Sequence, residues 1–204
     1  ITMLPRTNGR ADEVGRVNPA LCVSCGICAG SCAPMGVGPN GRTGRDQLSR
    51  VREFLARPGH SDGEIVAICC ERGASRFGGM LQHDGAVVYP VDCAGSLHTS
   101  VIELLVRSGS AGVLVLACPP RDCWNREGPR WLNERLFHDR EAELQARVDR
   151  RRVRLAFANA SEPAAARAAL RAFTAQLAMM GAATPESSVA IDMECDVVPA
   201  GEPE

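Results

Sequence analysis

Residues 111–118, "AGVLVLAC", are apolar at every position. A strand with one wet face alternates apolar and polar side chains, so an unbroken run of this kind has to be covered on both faces. It falls far short of the ~20 apolar residues of a membrane helix. An interior strand of a parallel sheet satisfies it, and the flanking sequence repeats the pattern. "EIVAICC" (64–70) and "AVVYPVDC" (86–93) are short β-branched runs, and "RVRLAFANA" (152–160) reads as a fourth strand. Between them, residues 96–109 place Leu97, Val101, Leu104 and Leu105 on one helical face, with Ser96 as cap and Gly109 as stop. Residues 128–148 read as one long helix with Trp131, Leu132, Leu136 and Leu144 as core positions, and residues 162–180 as an alanine-rich last helix. Strands alternating with helices predict an α/β fold, a small parallel sheet of about four strands covered by helices.

The rest of the chain divides around that domain, which spans 64–182. Residues 1–17 are polar without clear period and read as a linker or truncated extension; with Ile1 in place of Met, a start further upstream is expected. Residues 18–41 are dense in Cys, Gly and Pro, and no helix or sheet is expected there. Residues 42–63 hold a connecting helix, with Leu48, Val51 and Leu55 at helical spacing and Pro58-Gly59 as its stop. Residues 183–204 carry six acidic residues and no basic one, the pattern of a flexible tail.

A net charge of −1 gives no global field for nucleic acid or an anionic membrane. Every basic residue is arginine; the absence of lysine excludes a Schiff-base or pyridoxal-phosphate lysine and a P-loop lysine. No apolar run is long enough to span a membrane, and no signal peptide is visible. A cytoplasmic protein is expected, attached to a membrane complex only through a partner or an upstream region.

Ten cysteines in a reduced chain that has its own core point to metal ligation. The run "CVSCGICAGSC" places Cys22, Cys25, Cys28 and Cys32 at the spacing of the bacterial ferredoxin motif for a [4Fe–4S] cluster. A zinc knuckle would separate paired CxxC units by a longer loop. Gly26 and Gly30 let the backbone wrap so that the sulfurs turn inward. In two-cluster ferredoxins the fourth cysteine serves the other cluster, and Cys32 is followed by Ala33-Pro34 and not directly by proline. Either Cys32 closes the same cube, or the fourth ligand lies elsewhere; Cys195 in the acidic tail is a free thiol or that stray ligand.

The first three strands of the domain each finish in cysteine: Cys69-Cys70, Cys93 and Cys118, with Cys123 in the loop beyond a Pro119-Pro120 turn. In an open α/β sheet, ligands bind where the strands' carboxyl ends converge. A second metal site is therefore expected on Cys70, Cys93, Cys118 and Cys123, with Cys69 as substitute for Cys70. The spacing of Cys118 and Cys123 matches one interval of plant-type [2Fe–2S] sites. Buried cysteines as plain small hydrophobes are the alternative. Three other features are set aside: the GxGxxG-like "GVGPNG" (36–41) lacks a preceding strand, His98 reads as a polar residue at a helix N-terminus, and "RVDRRRVR" (147–154) as a solvated helix end.

"ICCERGA", "VDCAG" and "ACPPRDC" followed by Glu127-Gly128 resemble the delta (iron–sulfur) subunit of methyl-viologen-reducing hydrogenase over residues 64–182. That resemblance implies a [2Fe–2S] cluster on Cys70, Cys93, Cys118 and Cys123. It also implies an electron-transfer subunit without catalytic residues of its own. Such a subunit relays electrons between hydrogenase or formate-dehydrogenase-type partners and heterodisulfide-reductase-like flavoproteins or other iron–sulfur partners; related subunits serve aromatic-ring-reducing complexes. The chain departs from the family where a second cysteine often follows the first by three positions: here that place is Gly73, and Cys69 is the candidate replacement. Two other classes stay open. One is a thiol/disulfide oxidoreductase using Cys69/Cys70 or Cys118/Cys123, and the other an assembly domain stapled by a four-cysteine zinc site.

Overall fold

The computed structural model describes residues 2–5, 13–58, 61–125 and 127–181. Their elements run β1 (Thr2–Pro5), β2 (Glu13–Arg16), α1 (Ile27–Gly30), α2 (Gly44–Leu55), β3 (Ile65–Cys70), α3 (Gly78–His83), β4 (Ala86–Val91), α4 (Thr99–Arg107), β5 (Gly112–Ala117), α5 (Gly128–Phe137), β6 (Val153–Phe157) and α6 (Pro163–Met180). The sheet order is β4-β3-β5-β6, all parallel, as the alternation of strands and helices requires. β5, the run apolar at every position, is an interior strand and is buried throughout.

Because side chains alternate along a strand, the sheet has two distinct apolar faces. Val66, Ile68, Val113, Val115 and Ala117 pack with Val51 of α2, Val101, Ile102 and Leu105 of α4, and Leu132 and Leu136 of α5. Ala67, Cys69, Leu114 and Leu116 pack with Leu81 of α3 and Leu170, Phe173 and Leu177 of α6. The result is a helix–sheet–helix sandwich. α2 begins on a reciprocal cap: Thr43 Oγ1 accepts from Asp46 N (3.2 Å), while Asp46 Oδ2 accepts from Thr43 N (2.8 Å). From α2, Gln47 donates to Ser96 O and accepts from His98 N, both at 2.9 Å, and so pins the loop that follows β4.

Several local expectations are corrected. α4 starts at Thr99 and not at Ser96. Its cap is His98, whose Nδ1 accepts from Ser100 N at 3.2 Å; Ser96 sits in a 3₁₀ turn, Ala94–Ser96, with its hydroxyl donating to Cys93 O at 2.8 Å. α5 stops at Phe137. A straight continuation would carry Leu144 roughly 12 Å past Leu136 along the axis. Instead the chain reverses through Asp139 and Ala142 at positive φ, and Leu144 N donates back to Arg135 O at 2.9 Å, which buries Leu144 and Val148. The arginine run is consequently no helix end. It forms a 3₁₀ turn, Arg150–Arg152, leading into β6, with Arg150 paired to Asp139 and Arg151 to Asp149. Residues 2–5 and 13–16, expected as linker, pair as an antiparallel ribbon. The cysteine-rich 18–41 segment contains the one-turn helix α1. Residues 183–204, with Cys195, lie outside the described residues. Among the described residues no helix is long and apolar enough to cross a membrane.

Candidate metal centre

β3, β4 and β5 end side by side, Cys69 in register with Leu116 and Cys70 with Val91. Cys70 is the last residue of β3, Cys93 follows β4 by two positions, and Cys118 follows β5 at once. The chain then turns, Asp122 N donating to Pro119 O at 2.9 Å, and returns Cys123 to the same edge. Cys70, Cys118 and Cys123 form a buried cluster of their own, separate from both faces of the core. Cys118 Sγ donates to Cys70 Sγ at 3.6 Å. Cys93 is buried next to them: its charge is felt by Cys118 and Cys123, and its Sγ accepts from Asn125 Nδ2 at 3.2 Å. The structure thus brings Cys70, Cys93, Cys118 and Cys123 together.

Cys69 is elsewhere. It lies on the α3/α6 face, its Sγ donates to Ala67 O at 3.6 Å, and burial followed by the neighbouring Cys70 pushes its thiol up to about 12. Cys70 goes the other way. The hydrogen bond from Cys118 outweighs burial and, with the backbone N–H groups of Arg72 and Ala94, brings it down to about 6. Cys118 is pushed up by giving that hydrogen bond and by burial. Burial also raises Cys123, against the N–H groups of Asn125 and Gly128 that favour its thiolate. N–H donors thus meet the sulfurs at this edge, and among the shifted thiols only Cys70 has a balance that favours the thiolate; burial wins at Cys123, and the hydrogen bond given to Cys70, with burial, wins at Cys118.

The glycines around the edge are positional. A Cβ on Gly73 would come 3.1 Å from Cys118 Sγ, and one on Gly128 would come 3.3 Å from Cys93 Sγ. Gly95 is tighter still: its Cβ would fall 2.3 Å from Gly128 Cα, because the start of α5 crosses the loop carrying Cys93 backbone to backbone. Just outside, Trp124 is 75% exposed, with the Arg72 guanidinium 4.9 Å over its ring. Among the described residues, no three His, Cys, Asp or Glu side chains are gathered so as to hold a single metal ion.

The N-terminal run lies against the same end of the domain. Gly26 (φ +75) caps α1, and a Cβ there would meet Ser96 Cβ at 2.9 Å. Cys22 is exposed; Cys25, Cys28 and Cys32 are partly covered. Cys28 is raised by burial and then by the charges of Cys25 and Cys22, so these three share one neighbourhood. The Cys32 backbone lies close enough to His98 to favour its charged form, although burial dominates and lowers the imidazole, whose buried Nε2 closes no hydrogen bond.

Sequence reasoning missed Asn125, the N–H donors of Arg72 and Ala94, and the buried Arg135. Only Gly95 left a local trace, in the Cys-x-Gly of "VDCAG".

No curated protein matches the chain. A family model described as methyl-viologen-reducing hydrogenase, delta subunit, matches residues 65–181. The match runs from the first residue of β3 to just beyond α6, covers more than half of the chain, and includes all four converging cysteines; the 22–32 run lies outside it. The chain belongs to the family of the delta subunit of methyl-viologen-reducing hydrogenase.

Proposed function

We propose that the protein is an iron–sulfur electron-transfer subunit of an oxidoreductase complex, with a [4Fe–4S] cluster on Cys22, Cys25, Cys28 and Cys32 and a [2Fe–2S] cluster on Cys70, Cys93, Cys118 and Cys123. The partners are a hydrogenase- or dehydrogenase-type donor and a heterodisulfide-reductase-like or other flavin/iron–sulfur acceptor. The observation that carries the reading is the convergence of four thiols at the carboxyl edge of the family-matched sheet.

The residues present fit such a group. N–H groups of Arg72, Ala94, Asn125 and Gly128 and the Asn125 amide aim at the sulfurs, and Gly73 and Gly128 leave Cβ-free walls beside them. Thiolates that bond to different irons of a sulfide-bridged cluster need not close as the shell of a single ion. When bound, the clusters supply one-electron transfer; the protein's part is to fix their burial and the hydrogen bonds to sulfur, which set potential. Trp124 and Leu21, 75% and 80% exposed beside Cys123 and Cys22, give each centre an apolar rim for partner contact.

Anaerobically purified protein should contain about six iron atoms per chain with acid-labile sulfide, the sum of the two cluster types. Four irons would remove the second cluster, and zinc in place of iron would remove both. One observation favours a second reading, a thiol oxidoreductase: Cys118 and Cys70 stand 3.6 Å apart with Cys70 down at about 6. Alkylation of those thiols without bleaching of the visible spectrum would select it.

A further inference from the structure

Arg135, in α5, has no exposed surface. Its acceptors are all neutral: Nη1 donates to Ser31 Oγ at 3.1 Å, Nη2 to Gly95 O at 2.9 Å and Leu97 O at 3.3 Å, and Nε has no partner. Among the described residues no carboxylate pairs with it. Burial pulls its pKa down to about 10, so it stays charged at neutral pH, and the one nearby group favouring its charge is Cys93. A buried cation without a counter-charge is strongly unfavourable, and folds keep one where something else compensates.

The acceptors belong to two different segments. Ser31 precedes Cys32 in the N-terminal run; Gly95 and Leu97 lie in the loop that carries Cys93. The approach is close enough to dictate sequence. A Cβ on Gly30 would fall 2.8 Å from Arg135 Nη2, 2.9 Å from Gly95 O and 3.0 Å from Leu97 O. The planar fork of arginine suits this seam, because it can donate in several fixed directions at once.

We propose that Arg135 is a positioning residue that fastens the Cys22–Cys32 run to the Cys93 loop and places a positive charge, paired with no carboxylate among the described residues, between the two groups of thiols. The second half rests on the cluster reading above. There the negative charge of the loaded thiolates compensates the guanidinium, and the guanidinium in turn favours the reduced, more negative state of each centre.

The test uses the whole chain as wild type, Ser31→Ala, Arg135→Gln and Arg135→Lys. Two measurements are made: amide hydrogen exchange, and redox titration followed by electron paramagnetic resonance. In Ser31→Ala and Arg135→Gln, exchange over residues 27–31 should rise about tenfold while β3 and β5 stay as in wild type. In Arg135→Gln, both midpoints should move negative; poised at the wild-type midpoint, the reduced-to-oxidised ratio should fall about tenfold. Arg135→Lys keeps the charge but loses the fork, so it should show raised exchange with midpoints near wild type.

Unchanged exchange over 27–31 in Ser31→Ala overturns the fastening. Midpoints that stay put in an iron-loaded Arg135→Gln overturn the charge. Should the glutamine chain fail to fold or load, Ser31→Ala decides the fastening. Arg135→Lys then decides the charge, which a lysine midpoint moved well negative of wild type would overturn. A wild type without iron defeats the cluster reading and the charge with it, and the exchange comparison, which needs no metal, still decides the fastening.

Discussion

Cys69 and Cys70 are neighbours in the chain and opposites in environment. Period-two alternation guarantees that adjacent strand residues face opposite sides of a sheet. It does not say which side carries a site, so the sequence leaves either cysteine eligible. The strand end separates them: Cys70 meets Cys118 beyond the sheet, whereas Cys69 is enclosed with Leu81 and Phe173. On the proposed two-cluster assignment, Cys70→Ser or Cys93→Ser should lower the iron content from about six to about four per chain and abolish one of two paramagnetic signals. Cys69→Ala should leave both signals in place and reduce only thermal stability. Loss of a signal in Cys69→Ala, with Cys70→Ser silent, would exchange their roles. The convergence of Cys70, Cys93, Cys118 and Cys123 was legible in sequence because each stands at or just beyond the end of a strand-like run, and parallel strands end on one edge. Asn125 and Arg135 were not, because their importance comes from what the fold lays beside them: Cys93 for one, Ser31, Gly95 and Leu97 for the other.

At the scale of elements, strands were easier to read than helix ends. β3, β4, β5 and β6 stand where β-branched runs placed them, and for the interior strands β3 and β5 burial on both faces leaves little choice of residue. The stretch after Leu136 misled because Leu144 sits at a spacing that a helix and a reversed loop can both bury; only the positive φ of Asp139 and Ala142 ends the helix, and neither is a glycine. The ribbon of β1 and β2 gave no periodic signal, being short and largely exposed where described. One contact between elements carries a pH dependence. Arg167 of α6 donates to Asp84 Oδ2 at 2.6 Å, just past α3, and that hydrogen bond holds the Asp84 carboxyl below its ordinary value of 3.8. A depressed carboxyl contributes stability above its unfolded pKa and loses it as pH falls through the folded one. Arg167→Ala should accordingly lower the melting temperature near pH 7 by a degree or two, about what a partly exposed ion pair supports. The gap to wild type should close as pH drops through the carboxylate range. A gap as wide at pH ~2 as at pH ~7 would mean that Arg167 acts by packing alone.

For the molecule as a whole, the cluster proposal raises the question of whether a metal would build the fold or the fold would build the metal site. Small metal-bound domains are unfolded without their ion because no other core exists. Here the two faces of the sheet bury Val66, Ile68, Val113, Val115, Leu114, Leu116 and Phe173 among helices, and none of the four converging cysteines belongs to either face. The driving force for the sheet is thus complete before any metal arrives. What depends on the thiols is the rim: the turn to Cys123, the Cys93 loop and, through Arg135, the N-terminal run. On the proposed cluster reading, removal of iron by a chelator under reducing conditions should leave the far-ultraviolet dichroism nearly intact and the melt cooperative, at a lower temperature. In a chain of this size each kcal/mol lost is worth roughly 2–4 °C. Hydrogen exchange should quicken over residues 93–98, 118–125 and 27–31 while β3 and β5 keep their protection. A coil-like spectrum after chelation would reverse the order of causes, making the metal the organiser of the sheet and the apolar faces insufficient without it.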